Sequence, residues 1–165
     1  MAIVLPQLGP WAKSHLQSII QATNQTDFDA AFDAFVAKEV HVTFNGENIS
    51  RDEYKKRLRA EAFDEAGAVV TFNGVTTVPG KDESLGGATS SFIGEAGIFY
   101  TAIIAEAIVV QGASVESKIT SSINISVKND PSVPKPPAGI RGFYDPRRVF
   151  TLNQVSTDAP ADSST

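Results

Sequence analysis

The chain contains no cysteine, which excludes a disulfide framework and any thiolate metal site. Its two histidines, His15 and His41, stand far apart, so a zinc site without carboxylate help is not expected. No metal and no cofactor is expected. Positive charge is not in excess: the formal net charge is −5, which argues against a general nucleic-acid binder or a ligand of anionic membranes. Long apolar runs are missing as well. The uncharged stretch Ala96–Ala105 is too short to span a bilayer. The start, MAIVLPQLGPW, has no basic flank and is interrupted by Pro6 and Pro10, so it does not read as a signal peptide. A cytoplasmic location is the default expectation. There is neither a glycine-rich phosphate loop nor a nucleophile elbow.

What is present is a soluble composition: 165 residues, 42% apolar and 20% charged, within the range of ordinary globular proteins. A chain of this length buries roughly 70% of its unfolded surface as one domain. We expect a single domain over residues 1–156 and a disordered polar tail over 157–165.

The stretch 91–128 organises the rest. Ser114–Lys128, SVESKITSSINISVK, alternates with a period of two, placing Val115, Ile119, Ile123, Ile125 and Val127 on one row. That is the pattern of a half-buried antiparallel strand. Ile98–Val110 is apolar on both rows except for Glu106. Gly112 at the first central position suits a type II′ turn over Gly112-Ala113. Such a turn pairs Gln111 with Ser114 and sets Glu106 opposite Ile119, Tyr100 opposite Ile125 and Ala102 opposite Ile123.

Before this hairpin, helical spacing dominates. Pro10 suits a first turn, and Trp11, His15, Leu16, Ile19 and Ile20 form the stripe of a helix reaching about Ala22. Thr26, with Asp29 three residues on, reads as the cap of a second helix bearing Phe28, Phe32, Phe35 and Val36. Val40, Val42 and Phe44 alternate, and Asn45-Gly46 is a strong hairpin signal. Glu47–Ile49 is a short return strand. Ser50-Arg51-Asp52-Glu53 is a full capping box opening a third helix with Tyr54, Leu58 and Ala62 on one face. Ala68–Val78 is a strand rich in Val, Thr and Phe, and residues 79–87 read as a loop. Five prolines between 129 and 146 exclude regular structure there. Arg147–Val155 is a last strand. Helices first and an antiparallel sheet afterwards indicate an α+β fold.

This layout resembles the nuclear transport factor 2-like superfamily over about residues 10–156. The resemblance rests on the element order, the VTFNG hairpin followed by the SRDEYKKRL helix, and the RRVFTLNQV end strand. In detail the chain is similar to small uncharacterised fungal members. The resemblance implies three N-terminal helices packed on a strongly curved, mainly antiparallel sheet that forms a cone, and a homodimer through the sheet. It leaves activity open, since the superfamily spans isomerases, dehydratases, cyclases, transport factors and dimerisation modules.

The candidate site follows from these rows. Glu106, if it faces the helices, loses hydration and can act as a general acid or base. His15, Tyr54, Phe72, Tyr100, Ile104, Ile119 and Asn153 are candidates for a pocket lining. His41 is expected at the surface, and Arg141, Arg147 and Arg148 on a solvated edge. On the opposite row, Phe99, Ile103 and Val109 are apolar where a free face should be polar. With Thr120 and Ser122 they form a candidate dimer interface. The functional expectation is a cone that binds a small apolar ligand or a protein partner. The alternatives are an isomerase or cyclase moving a proton with Glu106, and a structural homodimer whose cone is filled.

Overall fold

The computed structural model describes residues 4–62, 68–110, 113–139 and 143–161, leaving aside the side chains of residues 61–62, 106–110 and 113–115. In chain order the elements are α1 (Leu8–Ile20), α2 (Gln25–Phe35), β1 (Val36–Phe44), β2 (Glu47–Ile49), α3 (Arg51–Ala62), β3 (Ala68–Asp82), β4 (Ala88–Val110), β5 (Ala113–Asn129) and β6 (Arg147–Pro160). A single 3-10 turn at Glu83–Leu85 separates β3 from β4. The six strands form one open sheet in the order β2-β1-β6-β5-β4-β3. Every pairing is antiparallel except that of β1 with β6. Three helices against one curved, mainly antiparallel sheet is the α+β arrangement that the element order predicts.

The helices present apolar stripes to the sheet. Leu8, Trp11, Ala12, Leu16, Ile19 and Ile20 are buried along α1. On α2, Phe28, Phe32 and Phe35 are at most 1% exposed, and each contributes about 2–3 kcal/mol by leaving water. The cap of α2 is Asn24 rather than Thr26: its Oδ1 accepts from Asp27 N at 2.9 Å, and its Nδ2 donates to the Asp27 carboxylate at 2.7 Å. This reciprocal pair satisfies an otherwise orphaned helix donor two residues earlier than Thr26 could. Ser50 caps α3 as the box requires, accepting from Glu53 N at 3.1 Å. The Asn45-Gly46 turn has positive φ at both residues (49° and 84°), the type I′ geometry that Asn-Gly favours.

The sheet bends at bulges. Pro79 pairs with Gly94 but Gly80 pairs with Ser90, so residues 91–93 of β4 have no partner in β3. Gly94 sits at this corner with φ 128°, and a Cβ there would lie 2.1 Å from the Val78 carbonyl oxygen. Only glycine permits that approach. The stretch expected as a loop from Pro79 is therefore partly strand: β3 is an edge strand, where a proline needs no ladder donor, and it continues to Asp82.

Two more expectations need correction. Val110 pairs with Ala113, so the connection is 111–112, outside the described residues, not Gly112-Ala113. Beyond it, residues 106–108 of β4 face residue 115 of β5, and the ladder then pairs Ala102 with Ile119 and Tyr100 with Ser121. The register is displaced by four residues, so Glu106 does not oppose Ile119. At the other end, β6 runs to Pro160, pairing residues 156–160 with Ser117–Ser121. Residues 157–160 thus belong to the sheet rather than to a tail.

Candidate functional site

The inner face of the sheet carries Ile98, Tyr100, Ala102 and Ile104 from β4 and Ile119, Ser121, Ile123, Ile125 and Val127 from β5, all buried. The four-residue displacement of register is even, so the rows keep their faces despite it. Tyr54 reaches this face from α3, where it is fully buried.

Four polar side chains meet in the centre. The Tyr54 hydroxyl donates to Gln154 Oε1 at 2.6 Å. Gln154 Nε2 donates to Ser121 Oγ at 2.8 Å and to the Tyr100 hydroxyl at 3.3 Å. Ser121 Oγ in turn donates to the Val155 carbonyl at 3.4 Å. Gln154 is 0% exposed, a position that costs several kcal/mol unless its amide is paired on both ends, as it is here. The expected amide, Asn153, points outward and is exposed. The reason is a bulge: Ser126 pairs with Thr151 and Val127 with Val149, leaving Phe150 over. That one-residue shift inverts the rows of β6 beyond it and turns Gln154 inward.

Of the remaining pocket candidates, Tyr100, Ile104 and Ile119 are buried, and Phe72 is partly buried against the core with its ring 6.2 Å from that of Tyr100. Glu106 lies in β4, but its side chain is outside those described, as is that of Val109. The geometry among the described residues is that of a hydrogen-bonded amide-hydroxyl knot inside an apolar shell.

His15 stands apart from this knot. Its ring packs between Trp11 (centroids 4.6 Å apart) and Phe35 (5.6 Å) and is half-buried. Burial is the main cause that lowers its pKa from 6.5 to about 4, helped by Arg148 and Arg147 and opposed by the Asp145 carboxylate. At neutral pH it is an uncharged aromatic filler. Beside it lies a second, charged knot. Asp145 accepts from Trp11 Nε1 (3.0 Å) and from Arg147 Nε and Nη2 (both 2.8 Å). Arg147 Nη1 also donates to the carbonyls of Pro6 (2.6 Å) and Phe92 (3.3 Å). Arg147 is 1% exposed, not on a solvated edge. Its fork is consumed by one carboxylate and two backbone carbonyls, which is what allows a guanidinium to be buried. Burial raises the Asp145 pKa, but the hydrogen bonds and charge of Arg147 outweigh it and hold the carboxyl below its usual value. Arg148 is partly buried, and its Nε donates to the Asp33 carbonyl at 3.0 Å. Arg141 is outside the described residues, and His41 is exposed as expected.

The outer face is a different surface. Cross-strand partners there form the rows Val69-Ile103-Lys118, Thr71-Thr101-Thr120-Thr157 and Gly74-Phe99-Ser122-Val155. Phe99 and Ile103 are 46% and 39% exposed, and Val69 and Val155 more so. Thr120 is half-buried and Ser122 exposed.

No family model and no curated protein matches the sequence. Among solved structures, an NTF2-like protein of unknown function from Cytophaga hutchinsonii covers 90% of this chain with 95% of its own, at 12% identity and a TM-score of 0.44. An NTF-2 like protein of unknown function from Silicibacter pomeroyi covers 90% with 92% of its own, at 12% identity and 0.45. Mtr2 of Candida albicans covers 93% with 95% of its own, at 9% identity and 0.46. The chain is similar in its overall course to nuclear transport factor 2-like proteins, and the α+β arrangement itself rests on the strand order and register given above.

Proposed function

We propose that this protein is a non-catalytic binding module of nuclear transport factor 2-like fold, and that the outer face of its sheet associates with a second copy. The observation that supports this reading most is the exposure of Phe99 and Ile103, flanked by the still more exposed Val69 and Val155, among the Thr, Ser and Lys side chains of the same rows. A free antiparallel face carries polar side chains, and apolar side chains gathered on it mark an interaction surface. A two-fold axis through this face sets the threonine row against its own copy, with hydroxyls as hydrogen-bond partners around an apolar centre. The buried knot of Tyr54, Gln154, Tyr100 and Ser121 supports the same reading, because it commits central polar groups of the inner face to one another. Sedimentation at micromolar concentration is the test. A dimer is expected, and Phe99→Asp with Ile103→Asp should convert it to monomer without loss of the folded signal. A monomer in the unaltered chain at that concentration overturns the reading.

A further inference from the structure

A cavity of about 900 Å³ lies between the β3–β4 turn and the proline-rich segment that follows β5. None of its lining comes from α1, α2 or α3. Ile93 and Val127, both buried, contribute its deep part, and Tyr144 and Pro146, half-buried, its flank. Its walls are fixed to each other. Asn129 Nδ2 donates to Asp82 Oδ2 at 3.2 Å, and Asp130 N donates to the Pro146 carbonyl at 2.7 Å, closing the base of the proline-rich segment. A volume of this size is in the range of small-molecule sites, and such sites are concave, mostly apolar and largely pre-formed.

The polar groups decide what it takes. Lys81, Lys128 and Lys135 line it together with Asp82, Glu83, Glu95 and Asp130, so the lining is close to electrically balanced and favours neither ion. The two nearly buried acids are already engaged. Asp82 Oδ1 accepts from Ser84 N and its hydroxyl, Oδ2 accepts from Asn129, and Asp130 Oδ1 accepts from Ser132 N at 2.8 Å. The lysines and glutamates are exposed, so their charged ends stay in water. Among the described residues the one buried side-chain atom lacking a hydrogen bond is Gln25 Oε1, which is not part of this lining. A site shaped for a polar or ionic ligand leaves buried donors or acceptors waiting for it; this one leaves none.

We infer that this cavity binds an uncharged, largely apolar small molecule, held by shape and contact with Ile93, Val127, Tyr144 and Pro146 rather than by ion pairing. Phe99 and Ile103 are not among its lining residues. The experiment is a fluorescence titration of the full chain with phenylnaphthylamine, an uncharged apolar probe, and with its anionic relative anilinonaphthalene sulfonate. Saturable binding of the uncharged probe is expected, with the sulfonate no tighter. Ser126→Trp, which fills the cavity from a half-buried lining position, should weaken it at least about tenfold, and Tyr144→Ala about threefold or more. Phe99→Asp with Ile103→Asp should leave it unchanged. Absence of saturable binding, full affinity in both Ser126→Trp and Tyr144→Ala, tighter binding of the sulfonate, or loss of binding in the sheet-face variant each overturns the inference. Melting curves of Ser126→Trp and Tyr144→Ala like that of the unaltered chain separate lost binding from lost fold.

Discussion

Two of the buried polar knots among the described residues are built on different rules. The inner one, Tyr54-Gln154-Tyr100-Ser121, is neutral and joins α3 to three neighbouring strands through side chains alone. The outer one, Trp11-Asp145-Arg147, is charged, and two of its acceptors are backbone carbonyls, Pro6 and Phe92. The neutral knot fixes how elements pack. The charged knot fixes how the chain is routed, because it holds the segment before α1, the unpaired part of β4 and the end of the proline-rich stretch at one point. A buried charge tolerates no missing partner, whereas a buried amide loses one hydrogen bond at a time.

Breaking the charged knot should therefore have the largest effect. Arg147→Ala removes the ion pair of Asp145 and the donors to two carbonyls; a loss of about 3–5 kcal/mol is expected in urea unfolding. Replacing the pair together, Asp145→Leu with Arg147→Met, should cost clearly less than the single change. Equal losses would show that the charge is not what matters. In the neutral knot, Gln154→Leu removes the acceptor of the Tyr54 hydroxyl and the donor to Ser121, for about 2–3 kcal/mol. Adding Tyr54→Phe should return part of that loss, and a double-mutant cycle measures the coupling.

Acid separates the knots more finely. The folded pKa of His15 is about 4, below the ordinary 6.5, so the folded state binds fewer protons than the unfolded one between these values. Its contribution is complete above pH 6.5 and falls away as pH drops toward 4. The amount is about 2 kcal/mol once solvent screening of the half-buried ring is allowed for. His15→Phe should flatten the stability profile in that window. Asp145, whose pKa is depressed, contributes stability above the ordinary carboxyl range that is lost only at lower pH, and Asp145→Asn should change the profile there. Trp11→Phe keeps one aromatic ring but loses the pyrrole half of a buried indole together with the hydrogen bond to Asp145, for about 2 kcal/mol. A loss as large as that of Arg147→Ala would mean that the indole, not the guanidinium, closes the charged knot.

The faces of the sheet were legible in the sequence, and the register was not. Alternation in β5 identifies the inner row whatever lies opposite. The connection at 111–112 and the excess of β4 residues before Val109 each displaced the pairing by two, and an even displacement preserves the rows. In β6 the bulge at Phe150 is a displacement of one, so Asn153 was read for Gln154. The three helices were legible because their stripes repeat, and two of the caps differ in how plainly they show. Ser50 announces itself by Glu53; Asn24 is hidden beside Thr26 because both are good caps and only packing chooses. Arg147 looked like a charged edge residue because nothing local marks its partners: Pro6 and Phe92 reach it through the fold. The cavity beside the proline-rich segment had no sequence signal, since its lining is assembled from four separated segments.

The corner at Gly94 has a consequence for how this chain can drift over generations. Every other amino acid brings a Cβ that would sit 2.1 Å from the Val78 carbonyl oxygen and must also adopt φ 128°, so the position has no neighbouring letter through which to pass. Gly80 opposite has backbone 2.9 Å from where its own Cβ would be, and the two therefore cannot compensate for each other. Variation in this arm of the molecule is confined to the residues around the corner, while the corner itself stays a fixed point from which the direction of both long strands is set.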